Sequence, residues 1–333
     1  MPRHPLTLAR FGAGAMLPAT TLARRWSTQE ARALWSGVAA HALTPLDRPM
    51  TSAVGLMLIV AGHAEGWVVA EGGSQAIAAA LAGDIERHGG KIETGVHVTS
   101  LADLPPSDVL MLDVSPSIAA DILGDRLAAR VARAYRRFRH GPGAFKVDVA
   151  VDGGVPWTAP AARNAGTVHL GGRLEEVVAN AEAVHRGVMP ERPFVLVGQQ
   201  YLADPSRSVG DVHPLWTYAQ VPNGYTGDAT AAIVAQIERF APGFRERVVG
   251  IAVRSTTAMS AYNPNYVGGD VIGGSTSSGQ LLFRPRFTLD PYSTGIPGTY
   301  LCSASTPPGA GAHGMCGANA AARALARLGG DGS

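Results

Sequence analysis

Apolar and polar positions change their spacing along the chain, and the changes mark out its elements. Ser27-Thr-Gln-Glu30 has the order of a capping box, in which a hydroxyl accepts from an exposed helix N–H and the glutamate reaches back. It predicts a helix running to about Ala40. The longest apolar run, residues 53–62, falls well short of the ~20 residues that span a bilayer and lies too far from Met1 for a signal peptide. It reads as a buried core segment. Ser74 is placed to cap an amphipathic helix that stops at Gly89-Gly90. Short strands are expected at 91–93 and 96–101 and a buried strand at 109–114; Ser115-Pro116 then opens another helix.

From Phe145 onward the spacing becomes that of strands. Residues 145–151, 167–170, 194–200 and 215–221 alternate or run apolar, with one helical stretch near 174–185 between them. A mixed or antiparallel sheet is expected. Residues 228–240 form an amphipathic helical pattern stopped by Pro242-Gly243, and 248–255 give a further strand. A glycine-rich segment, 263–279, precedes a closing strand, turn and helix. No internal repeat is visible.

Composition narrows the class. The chain has 333 residues, 46% hydrophobic and 16% charged, with 41 glycines and 23 prolines, which fits two globular domains rich in tight turns. Basic residues number 28 against 26 acidic ones, so the net charge of +2 leaves no footprint for nucleic acid. The basic stretch 130–140 has helical spacing and reads as a solvated face; contact with a membrane surface is the alternative. Cys302 and Cys316, the two cysteines, make neither a disulfide framework nor a zinc site and read as small buried side chains of a cytoplasmic protein. Neither a Gly-x-Ser-x-Gly elbow, nor a histidine pair at ligand spacing, nor a phosphate loop is present.

The chemistry concentrates in the last strand, turn and helix, residues 299–325. Gly309, Gly311, Gly314 and Gly317 carry no Cβ, so backbone can approach a flat or phosphorylated ligand. The helix that follows aims unpaired N–H groups at it. His313, the turn's titratable side chain, is expected in a structural or hydrogen-bonding role.

The run Tyr300-Leu-Cys-Ser-Ala-Ser-Thr-Pro-Pro-Gly-x-Gly-x-His-Gly-Met-Cys-Gly resembles the C-terminal flavin motif of phytoene desaturase-like FAD oxidoreductases, within the flavin amine oxidase superfamily. Three further stretches resemble that family in the same order. They are Glu71-Gly-Gly-Ser with the helix after it and Val96-His-Val98; Gly141-Pro-Gly-x-Phe-Lys-Val147; and Asn263-Pro-Asn-Tyr-Val-Gly-Gly-Asp270. The resemblance implies an α/β fold of two interleaved domains. Residues 66–139 and 256–333 would form a partial FAD/NAD(P)-binding, Rossmann-like domain, and 140–255 a mixed-sheet substrate domain with 1–65 as its helical part. It implies FAD as cofactor. The backbone of Val98 would meet the adenine side, Ser303, Ala304 and Ser305 the ribityl–pyrophosphate, and the N–H groups of Gly314 and Met315 the flavin pyrimidine.

By the same resemblance the chain would dehydrogenate a small, apolar or amine-like substrate, passing hydride to flavin N5. No catalytic base is assigned. These enzymes open on a strand and a Gly-x-Gly-x-x-Gly turn. Gly12-Ala-Gly-Ala-Met-Leu17 does not supply one, having no strand before it and leucine in place of the third glycine. The chain is therefore expected to start inside the family's pattern, its nucleotide-binding segment lost or supplied by a partner chain. A non-catalytic remnant that binds a ligand or a subunit stays open as the other reading.

Overall fold

Strict alternation from Phe145 to Val151 places Phe145, Val147, Val149 and Val151 on one face, and that face is the core of a sheet. The computed structural model describes residues 4–330. Its strands are β1 (Leu110–Leu112), β2 (Gly143–Asp152), β3 (Thr167–Leu170), β4 (Val195–Gly198), β5 (Val212–Val221), β6 (Val248–Arg254) and β7 (Thr299–Leu301). Two compact units emerge. One takes in the chain up to Thr94 with Pro142–Ala258, the other Gly95–Gly141 with the chain from Met259 on.

In the first unit five strands pair antiparallel in the order β3-β4-β5-β2-β6. Leu215, Ala219 and Val221 of β5 join the inward residues of β2, and the Thr230–Phe240 helix closes the core with Ile233 and Ile237. Burying each of the valine, leucine, isoleucine and phenylalanine side chains contributes ~1.5–3 kcal/mol. Trp157, also buried, donates its indole N–H to Gln199 Oε1 at 2.9 Å, and Gln199 Nε2 donates in turn to the carbonyls of Ala162 and Ala165. A second cluster gathers the N-terminal helices around Trp35, whose Nε1 donates to Ala19 O at 2.9 Å.

Several expectations need correction. The first capping side chain is Thr28: its hydroxyl accepts the Ala31 N–H, so the Gln29–Ala39 helix starts one residue later than the Ser27 box implies. The apolar run 53–62 is a helix, Thr51–Glu65, but not a core segment. Only Thr51, Ser52 and Gly55 in it are buried, and Met57 and Val60 are 55% and 51% exposed. Its apolar side chains point all round, and just one flank packs, where a Cβ on Gly55 would lie 3.0 Å from the Trp35 ring. The strands expected at 91–93 and 96–101 do not form; the described backbone there is irregular up to a short 3₁₀ turn at Leu101–Asp103. Strand geometry needs a neighbour to bond, and this stretch has none among the described residues. The helix after Ser74 does form, Gln75–Arg87, with Ser74 in helical conformation and making no side-chain cap.

The second unit holds the parallel pair β1–β7, in register Leu110↔Thr299 to Leu112↔Leu301. The strand expected at 109–114 is thus present in shorter form. The Pro116–Leu123 and Ala129–Arg136 helices pack on one face of the pair through Ile122, Leu123, Val131 and Tyr135. Ala320 and Ala324 of the Met315–Gly330 helix pack with Tyr300 on the other. Among the described residues no helix is long and apolar enough to cross a membrane.

Candidate functional site

The second unit's site is built from the carboxyl end of β7. Beyond Leu301 the chain turns through residues whose stem is buried: Ser303 and Ser305 share a 2.6 Å hydroxyl–hydroxyl bond, and Thr306 Oγ1 donates to Ser303 O at 2.8 Å. Cys316 reaches back from the helix, its Sγ 3.4 Å from the carbonyls of Thr306 and Gly309. The tip of the turn, residues 310–315, lies at the surface. Gly309 and Gly314 have φ of 104° and 63°, values that suit glycine. A Cβ on Gly309 would come within 2.6 Å of Arg284 Nη1, so this glycine makes room for a buried guanidinium. Arg284 Nη2 donates to Gly273 O at 3.2 Å. Burial pulls its pKa down, against the pull of the Asp270 charge.

The residues expected to meet a flavin fall on several parts of this unit. Ser303, Ala304 and Ser305 form the stem; Gly314 and Met315 lie at the start of the Met315–Gly330 helix. The Met315 N–H donates to His313 Nδ1 at 3.0 Å, so His313 has the structural role expected of it and holds one of the donors meant for a ligand. Val98 lies apart from the turn, lining a 650 Å³ groove with Val96, Leu110, Leu112 and Ile118.

Sequence reasoning passed over the residue that ties this unit's loops together. Asp270 is fully buried; its carboxylate accepts the N–H groups of Gly141 and Gly274 at 2.8 Å and of Ile272 at 2.9 Å, and His140 Nδ1 lies 3.4 Å away. The signal was an acid closing the Tyr-Val-Gly-Gly-Asp run. Cys302, at the end of β7, has its thiol pushed up to about 12, first by burial and then by Asp113 and Cys316. Cys316 is buried, as expected, whereas Cys302 is half-buried.

The first unit carries a cavity of about 820 Å³ on the sheet face opposite its core. Asp148, Ala150, Trp216, Gly250 and Ala252 form its floor, and Val68, Ser74, Ile77, Gln200 and Arg207 line it from the side. Lys146 pairs with Asp148 and stands 5.9 Å from the Trp216 ring centre, so the floor's one carboxylate is neutralised. Asp204 anchors the 71–74 loop by accepting the Gly72 N–H at 2.9 Å. Burial pushes the Tyr218 hydroxyl, on the same strand as Trp216, up to about 12, which keeps it a neutral donor.

These two units, one with a parallel pair feeding a glycine turn and one with a cavity-bearing antiparallel sheet, have counterparts among solved proteins. An oxidoreductase from Methanosarcina mazei is similar over 90% of this chain with a TM-score of 0.57 and 14% identity. A putrescine oxidase redesigned in its cofactor binding is similar over 96% of this chain and 69% of its own, with a TM-score of 0.50 and 16% identity. A cyclohexylamine oxidase from Brevibacterium oxydans IH-35A aligns over 98% of this chain and 76% of its own, at a TM-score of 0.48 and 14% identity. The first two likenesses show a fold shared with oxidoreductases. The chain spans 66% of the length of the Methanosarcina protein. No family model matches it, and no curated protein does.

Proposed function

We propose that this chain is an FAD-dependent oxidoreductase of the flavin amine oxidase type, phytoene desaturase-like in its closing motif. The observation that carries the reading is the passage from β7 through the Ser303–Gly314 turn to a 16-residue helix starting at Met315. Such a helix start keeps unpaired N–H groups and a positive partial charge of about half a unit. The residues suit a flavin edge: Gly311 and Gly314 at the exposed tip present backbone without a Cβ, and His313 pins the turn through Met315. Bound FAD would supply hydride acceptance at N5, and an external acceptor would restore it. The helix start would favour negative charge on the pyrimidine ring. A substrate with an apolar body suits the 820 Å³ cavity, where Trp216 and Ile77 supply apolar surface and Arg207 and Gln200 polar ends.

A second reading, a non-catalytic protein that binds a ligand or a subunit, is favoured by one observation: the Met315 N–H is already engaged by His313. A titration separates the two. Flavin fluorescence followed as the chain is added to FAD should show saturable quenching, weakened at least tenfold in Gly314→Val. A Cβ there meets nothing within 4 Å, but φ is 63°, so valine strains the turn without crowding a neighbour. Circular dichroism checks that the variant folds. Absence of quenching, with and without a chain supplying the nucleotide segment, would sink the flavin reading.

A further inference from the structure

We propose that the 820 Å³ cavity of the first unit takes an apolar monocarboxylate, its carboxylate held by Arg207 and its chain laid over the sheet. That this ligand is a substrate rests on the flavin reading; its recognition rests on the cavity alone, whose lining residues all belong to the first unit. Arg207 closes a short 3₁₀ turn, Pro205–Arg207, and its guanidinium packs on Gly73, where a Cβ would stand 2.7 Å from Nη1. Gly73 has φ of 103°, so glycine supplies both the turn and the room. The arginine is held in place with its donors unspent. Its one ion pair among the described residues, with Asp204, is long at 3.9 Å, and no acceptor among them lies within hydrogen-bonding reach of the guanidinium. Asp204 is occupied elsewhere, accepting from the Gly72 N–H at 2.9 Å and from the Ser206 hydroxyl. Ser74, beside Gly73, lines the same wall with a hydroxyl that makes no helix cap, and Gln200 adds a carboxamide.

Charge decides the ligand class. Asp148 and Arg207 are the charged residues among those lining the cavity, and Asp148 is neutralised by Lys146. Arg207 is left with only its long contact to Asp204, which suits a ligand of single negative charge. A phosphate group, with about two negative charges at pH 7, would lack a second cation here. A carboxylate matches the guanidinium fork through two parallel N–H···O bonds, the strong class of such contacts. An amine meets the opposite difficulty, because the lining carboxylate that could pair with it is already held. The rest of the surface suits a hydrocarbon chain. Ile77 and Trp216 are 54% and 37% exposed, and an alkyl chain would cover them. Ala150, Gly250 and Ala252 keep the floor low beneath it. A Cβ on Gly250 would meet only Ala150, at 3.7 Å, so the space above this position is open.

Titration calorimetry with decanoate, decanol and decylamine tests this on the full chain, below the concentrations at which these probes aggregate and with no FAD added. Decanoate should bind at one site per chain, at least tenfold more tightly than either analogue. Arg207→Gln should lower decanoate affinity to that of decanol and leave decanol unchanged. Should that variant lose its fold by circular dichroism, Gly250→Leu supplies the second arm: leucine fills the floor without crowding the protein and should weaken decanoate at least tenfold. Equal affinity for decanoate and decanol in the unaltered chain overturns the proposal, as does the absence of decanoate binding. Full decanoate affinity in either folded variant does the same. The two readings fail separately. A chain that takes decanoate but no FAD keeps the carboxylate site and loses the flavin, whereas FAD uptake by a chain indifferent to decanoate removes the carboxylate site alone.

Discussion

His41 Nε2 lies 2.9 Å from His169 Nε2 inside the first unit, a hydrogen bond between two imidazoles from sequence positions 128 apart. One ring must donate and the other accept, so the accepting ring is neutral. His169 also stacks on Phe194, with ring centres 5.6 Å apart. Burial holds both pKa values below the ordinary 6.5; that of His169 is pulled down to about 3, with the His41 charge adding to the effect.

Stability should therefore fall with acid. Above pH 6.5 both states hold neutral imidazoles and nothing changes. Below it the unfolded chain binds protons that the folded pair refuses, and each histidine removes about 1.4 kcal/mol per pH unit until its folded pKa is reached. For His169 the window runs from 6.5 down to about 3. Urea midpoints measured from pH 7.5 to 5 should decline, and His169→Gln, which still offers His41 a partner, should roughly halve the slope. An unchanged slope would show that other groups set the acid limit.

Asp270 should be a stability residue of the second unit. Asp270→Ala removes the carboxylate that accepts the N–H groups of buried Gly141 and Gly274 and half-buried Ile272, and should cost about 3–5 kcal/mol. Gly274→Ala attacks the same loop by crowding: a Cβ there would stand 2.4 Å from the Phe138 ring, at φ 133°. Both variants should lower the urea midpoint far more than Gly314→Ala, whose added Cβ meets nothing within 4 Å. Equal losses at positions 274 and 314 would contradict the packing described.

Thiol chemistry offers a third check. Cys302 is pushed up to about 12 and Cys316 is buried, so native protein should react with iodoacetamide on the order of a hundredfold slower than a free thiol at pH 8. Both should label fully in urea. Rapid native labelling of Cys302 would mean that β7 is open to solvent at its carboxyl end.

What the amino-acid order settled was local. Alternation through 145–151 and the Pro242-Gly243 stop placed strands and helix within a residue or two of Gly143–Asp152 and Thr230–Phe240, because one buried face forces its own period. The glycine turn before the last helix was legible for the same kind of reason: Gly309 and Gly314 take backbone angles that other residues resist. Tertiary structure decided what needs a distant partner. Residues 96–101 have strand-like composition but no strand to pair with among the described residues, and the 53–62 run is apolar yet packs on one flank alone. The meeting of His41 with His169, the Gly141 N–H held by Asp270 and the room that Gly309 leaves for Arg284 join positions far apart in the chain. Periodicity measures neighbours a few residues away, whereas these contacts exist only once separate elements are packed.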